Sequence, residues 1–158
     1  ISPTKEQLAR DAILIEQGYI KETVGSQDQV SAAFGGFNKI EFNGQDEFRI
    51  SPIHLPDSRL NELQASLMLV FTGQVRTASN IAEQQVKAMS SRSTELTAIH
   101  RSVDEAINIL HSGTDLSDFG RLLDETWRTK RSLTHLISTS KVDDIYKEGC
   151  KAVALGGK

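Results

Sequence analysis

The sequence predicts a mixed fold in which helices make up most of the chain and an antiparallel hairpin interrupts them. Three observations predict it. Near the start, Leu8, Ala9, Ala12, Ile13 and Ile15 recur on one face at helical spacing. Ile40 and Phe42, then Phe48 and Ile50, alternate with polar neighbours around Asn43-Gly44, a dipeptide suited to the positive φ values of a tight turn. After residue 77, apolar stripes of helical period dominate.

In chain order, Ser2 before Pro3 predicts a helix start, because Ser can cap free N–H groups and Pro fits the first helical position. That helix is expected to run to about Gln17 and stop at Gly18. The small, polar, glycine-bearing stretch from Gly25 to Gly36 predicts a shaped loop or a short turn of helix. Pro52 and Pro56 mark a connection after the hairpin. Leu67-Met68-Leu69-Val70-Phe71 then reads as a buried strand ending at the turn Thr72-Gly73. Helices are expected over 77–89, 93–110, 116–133 and 141–154. Phe119, Leu122, Leu123 and Trp127 form one core stripe, and Val142, Ile145, Tyr146, Gly149 and Val153 another. Ser140 and Asp143 have the spacing of a capping box, with Asp replacing the usual Glu.

The 158 residues, 38% of them hydrophobic, are enough to bury a core. A formal net charge of −3 and an isoelectric point near 5.8 lack the basic excess of a nucleic-acid binder. No apolar run approaches the roughly 18 residues that span a membrane. The single cysteine, Cys150, excludes an intramolecular disulfide and a multi-cysteine zinc site, which fits a reducing cytoplasm. His54, His100, His111 and His135 show no metal-ligand spacing. The chain opens on Ile1 and closes on Gly156-Gly157-Lys158, and we expect it to be an internal piece of a longer protein.

The stretch richest in chemistry runs from Val24 to Asn38. Glycines flank a lone carboxylate, Asp28, and no Lys or Arg in the loop neutralises it. The competing reading makes Asp28 a turn residue bonded to its own backbone. Glu16 lies in the last helical turn before Gly18, where the dipole disfavours a negative charge and a cation would relieve it. A solvated surface acid is the alternative. Arg76 follows the turn at Thr72-Gly73, and its planar guanidinium suits bidentate bonding to a phosphate; an ordinary surface arginine competes. Lys130 lies three residues after Trp127 on the same helical face, and either approaches a pocket or snorkels over that ring.

Gly25-Ser26-Gln27-Asp28-Gln29, followed by Ala33-Phe34-Gly35-Gly36-Phe37-Asn38, resembles the segment of GHMP sugar kinases that carries the catalytic aspartate, in the form used by heptose 7-phosphate kinases. Further matches keep the family's order: Ile15 to Gln17, Phe71 to Ser79, Thr126 to Leu133 and Ala154 to Lys158. The resemblance covers essentially the whole chain. It implies the α+β two-lobed GHMP fold, with part of the N-terminal lobe in 1–57 and most of a helix-rich C-terminal lobe in 58–158. The family's helix-initiating phosphate loop would precede Ile1, and its glycine-rich motif would continue beyond Lys158.

The implied reaction is transfer of the ATP γ-phosphoryl group to the anomeric hydroxyl of heptose 7-phosphate in the cytoplasm, for activated heptose and surface glycan synthesis. By resemblance Asp28 is catalytic and Glu16 helps hold Mg²⁺. Gln27, Gly35, Gly36, Thr72, Gly73, Arg76 and Lys130 border the substrate, and Gly156 and Gly157 belong to the cofactor site. The expected partners are the sugar phosphate and ATP, with no nucleic acid and no membrane, and a homodimer is the oligomer to test. Two alternatives stand beside this: another GHMP sugar kinase acting on fucose, galactose or an N-acetylhexosamine, and a non-catalytic helical interaction domain.

Overall fold

In the computed structural model, which describes residues 2–44, 47–73 and 91–158, Thr4 rather than Ser2 starts the first helix. Thr4 is extended, and its hydroxyl accepts from the Gln7 amide at 3.1 Å. The cap therefore sits two residues later than Ser-Pro predicts, on the hydroxyl that accepts from the amide three positions ahead of it. Helix α1 spans Lys5–Ile13 and continues as a π-helical segment, Leu14–Tyr19, which carries the chain past Gly18. The Ile20 amide donates to the Ile15 carbonyl at 2.9 Å, the i to i+5 bond of that wider turn.

Helix α2 spans Gln27–Phe34, so the glycine-bearing stretch is a two-turn helix between loops. Gly35 and Gly36 end it with φ of 62° and 77°, angles that residues with a Cβ rarely adopt. The Asn38 side-chain amide donates to the Gly35 carbonyl at 2.6 Å and secures the reversal. Strands β1, Asn38–Phe42, and β2, Phe48–Pro52, then pair antiparallel with Ile40 opposite Ile50 and Phe42 opposite Phe48. This is the register that the alternation predicts. Ala9, Ile13 and Val30 are buried together, and Ala33, Phe34, Ile40, Phe48 and Ile50 close around them.

The described residues divide into two units, the first ending at His54 and the second beginning at Leu55. The second unit opens with α3, Asp57–Ala65, a helix the sequence reading passed over. Its signal is present: Pro56 before an acidic first turn, then Leu60 and Leu63 at helical spacing. Helices α4, Ser93–Ser112, α5, Ser117–Leu133, and α6, Ser140–Lys151, follow the predicted helical stripes closely. Leu63, Leu110 and Leu116 form the core here, backed by Leu55 and Phe119. The helix expected over 77–89 lies outside the described residues.

Three further expectations need correction. Leu67 to Phe71 is not a buried strand: Met68 is 82% exposed and Leu69 100%. An apolar run becomes a strand only where neighbouring backbone pairs with it, and among the described residues the only sheet is the β1–β2 hairpin. The cap of α6 is Thr139 rather than Ser140, its hydroxyl accepting from the Val142 amide at 3.3 Å. Asp143 turns away from that cap and accepts from Ser138 and Arg131. Val153 leaves its stripe, 87% exposed with a φ of 80°. The other stripe holds, with Leu122 and Trp127 buried.

The described residues thus form an α+β arrangement of six α-helices and one two-stranded sheet. None of the described helices is long and apolar enough to cross a membrane.

Candidate functional site

Asp28 stands in the first turn of α2, where the helix dipole favours a negative charge. It is exposed, and among the described residues no hydrogen bond or ion pair engages its carboxylate. The local backbone bonds expected of a turn aspartate are therefore absent. The Ser26 hydroxyl, which would ordinarily cap this helix, makes no cap bond. It accepts instead from the Gln17 side-chain amide at 3.1 Å, while the same nitrogen donates to the Val24 carbonyl at 3.0 Å. Gln17 thus ties down the chain that leads into α2.

Glu16, next to Gln17 on the π-helical segment, is partly buried. Its carboxylate accepts from the Gln29 side-chain amide. The exposed Gln27 precedes Asp28 on the same helix, and Gly35 and Gly36 form its exposed C-terminal turn. The first unit therefore gathers Glu16, Gln27, Asp28, Gly35 and Gly36 around one short helix. Sequence reasoning missed Gln17 and Gln29 as contributors. Both lie inside the segments that carry the resemblance, and adjacency to Glu16 and Asp28 was the available signal.

No group of three or more His, Cys, Asp or Glu able to hold a metal occurs among the described residues. Mg²⁺ is commonly held by one or two carboxylates completed by water and phosphate oxygens, so a single hard oxygen donor such as Glu16 fits that share.

The remaining predicted residues that the structure describes lie in the second unit. Thr72, Gly156 and Gly157 line an open groove of about 520 Å³ that also takes in Trp127, Tyr146 and Lys158. Gly73 faces α6, and a Cβ there would lie 3.4 Å from the Lys141 ammonium. Gly156 packs on α5: a Cβ would meet the Asp124 amide nitrogen at 2.6 Å. Gly157 lies against the Tyr146 ring. Gly156 therefore has a packing role whatever else it binds.

Lys130 is half-buried. Burial pushes its ammonium below the usual lysine range, and the neighbouring Lys158 adds to the effect. The cation over the Trp127 ring is Arg131, at 5.9 Å from its centroid, and not Lys130. Tyr146 donates to Asp124 at 2.5 Å. Burial first, then Asp124, pushes the Tyr146 hydroxyl above the usual range. Arg76 lies outside the described residues.

No family model matches the chain. It is 29% identical over 154 residues to the D-glycero-alpha-D-manno-heptose 7-phosphate kinase of Campylobacter jejuni subsp. jejuni, a match covering 96% of this chain and 45% of that protein. It is 27% identical over 169 residues to the bifunctional fucokinase/GDP-fucose pyrophosphorylase of Arabidopsis thaliana, covering 98% of this chain and 16% of that protein. The chain spans less than half the length of the curated relatives it matches. Similarity to these two sugar kinases of the GHMP family, along almost the entire chain, supports a partial GHMP-like sugar kinase.

Proposed function

We propose that the protein containing this chain transfers the γ-phosphoryl group of ATP to the anomeric hydroxyl of heptose 7-phosphate, supplying activated heptose for surface glycans. The observation that carries this reading is the Asp28 carboxylate, exposed at the head of α2 and free of partners among the described residues, in a chain similar along 96% of its length to a heptose 7-phosphate kinase. Phosphoryl transfer demands alignment and charge stabilisation more than covalent participation by the protein. A free carboxylate can accept or orient the hydroxyl proton. An anomeric hydroxyl is more acidic than an ordinary alcohol, so a weak base suffices.

Glu16 would hold Mg²⁺, which when bound neutralises charge on the phosphates. Gln27, Gly35 and Gly36 would border the sugar beside Asp28. Thr72, Gly73, Arg76 and Lys130 would serve the sugar phosphate, and Gly156 and Gly157 the nucleotide. The two-lobed GHMP arrangement divided near residue 57, a cytoplasmic setting and a homodimer complete the proposal.

The test is a kinase assay of the full-length protein on heptose 7-phosphate, fucose, galactose and N-acetylhexosamines, with Asp28→Asn alongside wild type. The variant is expected to lower kcat by about 10²-fold while leaving ATP affinity and melting temperature nearly unchanged. Near-wild-type turnover by the folded variant would refute the role of Asp28. The similarity to a fucokinase favours fucose as the competing acceptor, and preference for it in the same panel would reassign the substrate.

A further inference from the structure

We propose that Gln29 is a positioning residue of this site, clamping the Glu16 carboxylate to the helix that presents Asp28; the proposal rests on the phosphoryl-transfer reading above. Gln29 is only 9% exposed, and its neighbour Val30 is a core residue of the first unit. A buried amide costs stability unless both its donor and its acceptor are satisfied. Gln29 satisfies one side alone: its nitrogen donates to Glu16, while its oxygen is buried without a hydrogen-bond partner. The orientation follows from chemistry, since an ionised carboxylate only accepts and must face the NH₂ group.

A side chain that served packing alone would be apolar at this position, because an unsatisfied buried acceptor is destabilising. What the glutamine adds is a charge-assisted bond to an acid. That bond reaches across 13 residues of sequence, from the π-helical segment to α2. It acts together with Gln17, whose amide holds the Val24 carbonyl and the Ser26 hydroxyl just before α2. Glu16 and Gln17, consecutive in the chain, thus grip α2 at Gln29 and at Ser26. Asp28 lies between these two anchors. Its backbone is fixed on both sides while its carboxylate stays free.

The clamp also fixes Glu16, because one of its oxygens is held by Gln29 and the orientation of the carboxylate follows. π-Helical turns are frequent at functional sites, and here the turn places two adjacent side chains, one against α2 and one against the residues that lead into it. Gln29 touches neither substrate nor reacting atoms in this account. It acts through Glu16 and through the position of Asp28.

The test uses the full-length protein and two substitutions. Gln29→Met keeps the volume and removes both polar atoms. It is expected to lower kcat about 10-fold to 100-fold, the range typical when a supporting hydrogen bond to a ligating group is lost. KM for the sugar is expected to change less than about 3-fold, and the melting temperature to hold or rise. Hydrogen exchange at amides 24–30, which needs no turnover, is expected to quicken relative to the rest of the first unit. Gln29→Glu keeps the shape but replaces the donating amide with a carboxylate that cannot donate to Glu16, so it is expected to lower kcat at least as far as Gln29→Met.

Near-wild-type kcat with unchanged exchange in Gln29→Met, or near-wild-type kcat in Gln29→Glu, would overturn the proposal. Should Gln29→Met fail to fold, Gln17→Met removes the second anchor and is judged by the same kcat and exchange criteria. If the wild-type protein phosphorylates no sugar, the kinase reading fails separately, and exchange at amides 24–30 alone decides whether the clamp exists.

Discussion

Gly156 lies so close to helix α5 that a Cβ on it would sit 2.0 Å from the Gly120 carbonyl oxygen. That oxygen is backbone and cannot swing aside, so a side chain at 156 forces the terminal segment off the helix.

Gly156→Ala is therefore expected to destabilise the protein by about 1–3 kcal/mol, the usual cost of overpacking. Gly25 provides the contrast, with nothing within 4 Å of where its Cβ would be and no positive φ. Gly25→Ala is expected to stay within about 1 kcal/mol of wild type. Denaturant unfolding of the two variants measures the difference, and equal effects would disprove the close packing of the terminal segment.

Arg59 predicts a second asymmetry. Its guanidinium is buried against the end of α4, donating to the Leu110 carbonyl at 3.2 Å and the Ile109 carbonyl at 3.1 Å. These carbonyls are among the last four of the helix, which have no partner inside it. The Ser112 hydroxyl also reaches Ile109, so Arg59→Met strands Leu110 in particular and is expected to cost about 1–3 kcal/mol. The ion pair from Arg59 to Glu62 is half exposed on the glutamate side, and Glu62→Gln is expected to cost under about 1 kcal/mol. A thermal melt showing the reverse order would mean that the ion pair, rather than the helix end, is what Arg59 supports.

Tyr146 makes stability sensitive to alkali. Burial and the bond to Asp124 favour its neutral form in the folded state and raise its proton affinity above the ordinary tyrosine value. A group raised in this way stabilises the fold fully below its unfolded pKa of about 10, and that contribution is lost as pH rises further, through the folded value. Tyr146→Phe is expected to reduce stability at neutral pH and to flatten the decline above about pH 10. Parallel alkaline limbs for the two proteins would show that another group is responsible.

The order of elements was largely legible in the amino-acid sequence because it depends on neighbours a few residues apart. Alternation around Asn43-Gly44 set the pairing of Ile40 with Ile50, since a slip of one residue would turn both strands inside out. Helical stripes foretold α4, α5 and α6 for the same local reason. The motif around Asp28 marked the candidate site before any geometry was known.

Tertiary structure decided what depends on residues far apart in the chain. Composition marks Leu67 to Phe71 as a strand, yet strand formation needs a partner's backbone, and the segment lies exposed. Whether Ser2 or Thr4, and Ser140 or Thr139, caps its helix turned on which hydroxyl met an amide, a difference that hydroxyl-rich sequences leave open. The bond from Gln29 to Glu16 joins positions that no periodicity connects. The contact of Gly156 with Gly120 likewise exists only once the terminal segment lies on α5. Residue type and spacing determined which groups could act, and long-range packing determined which of them meet.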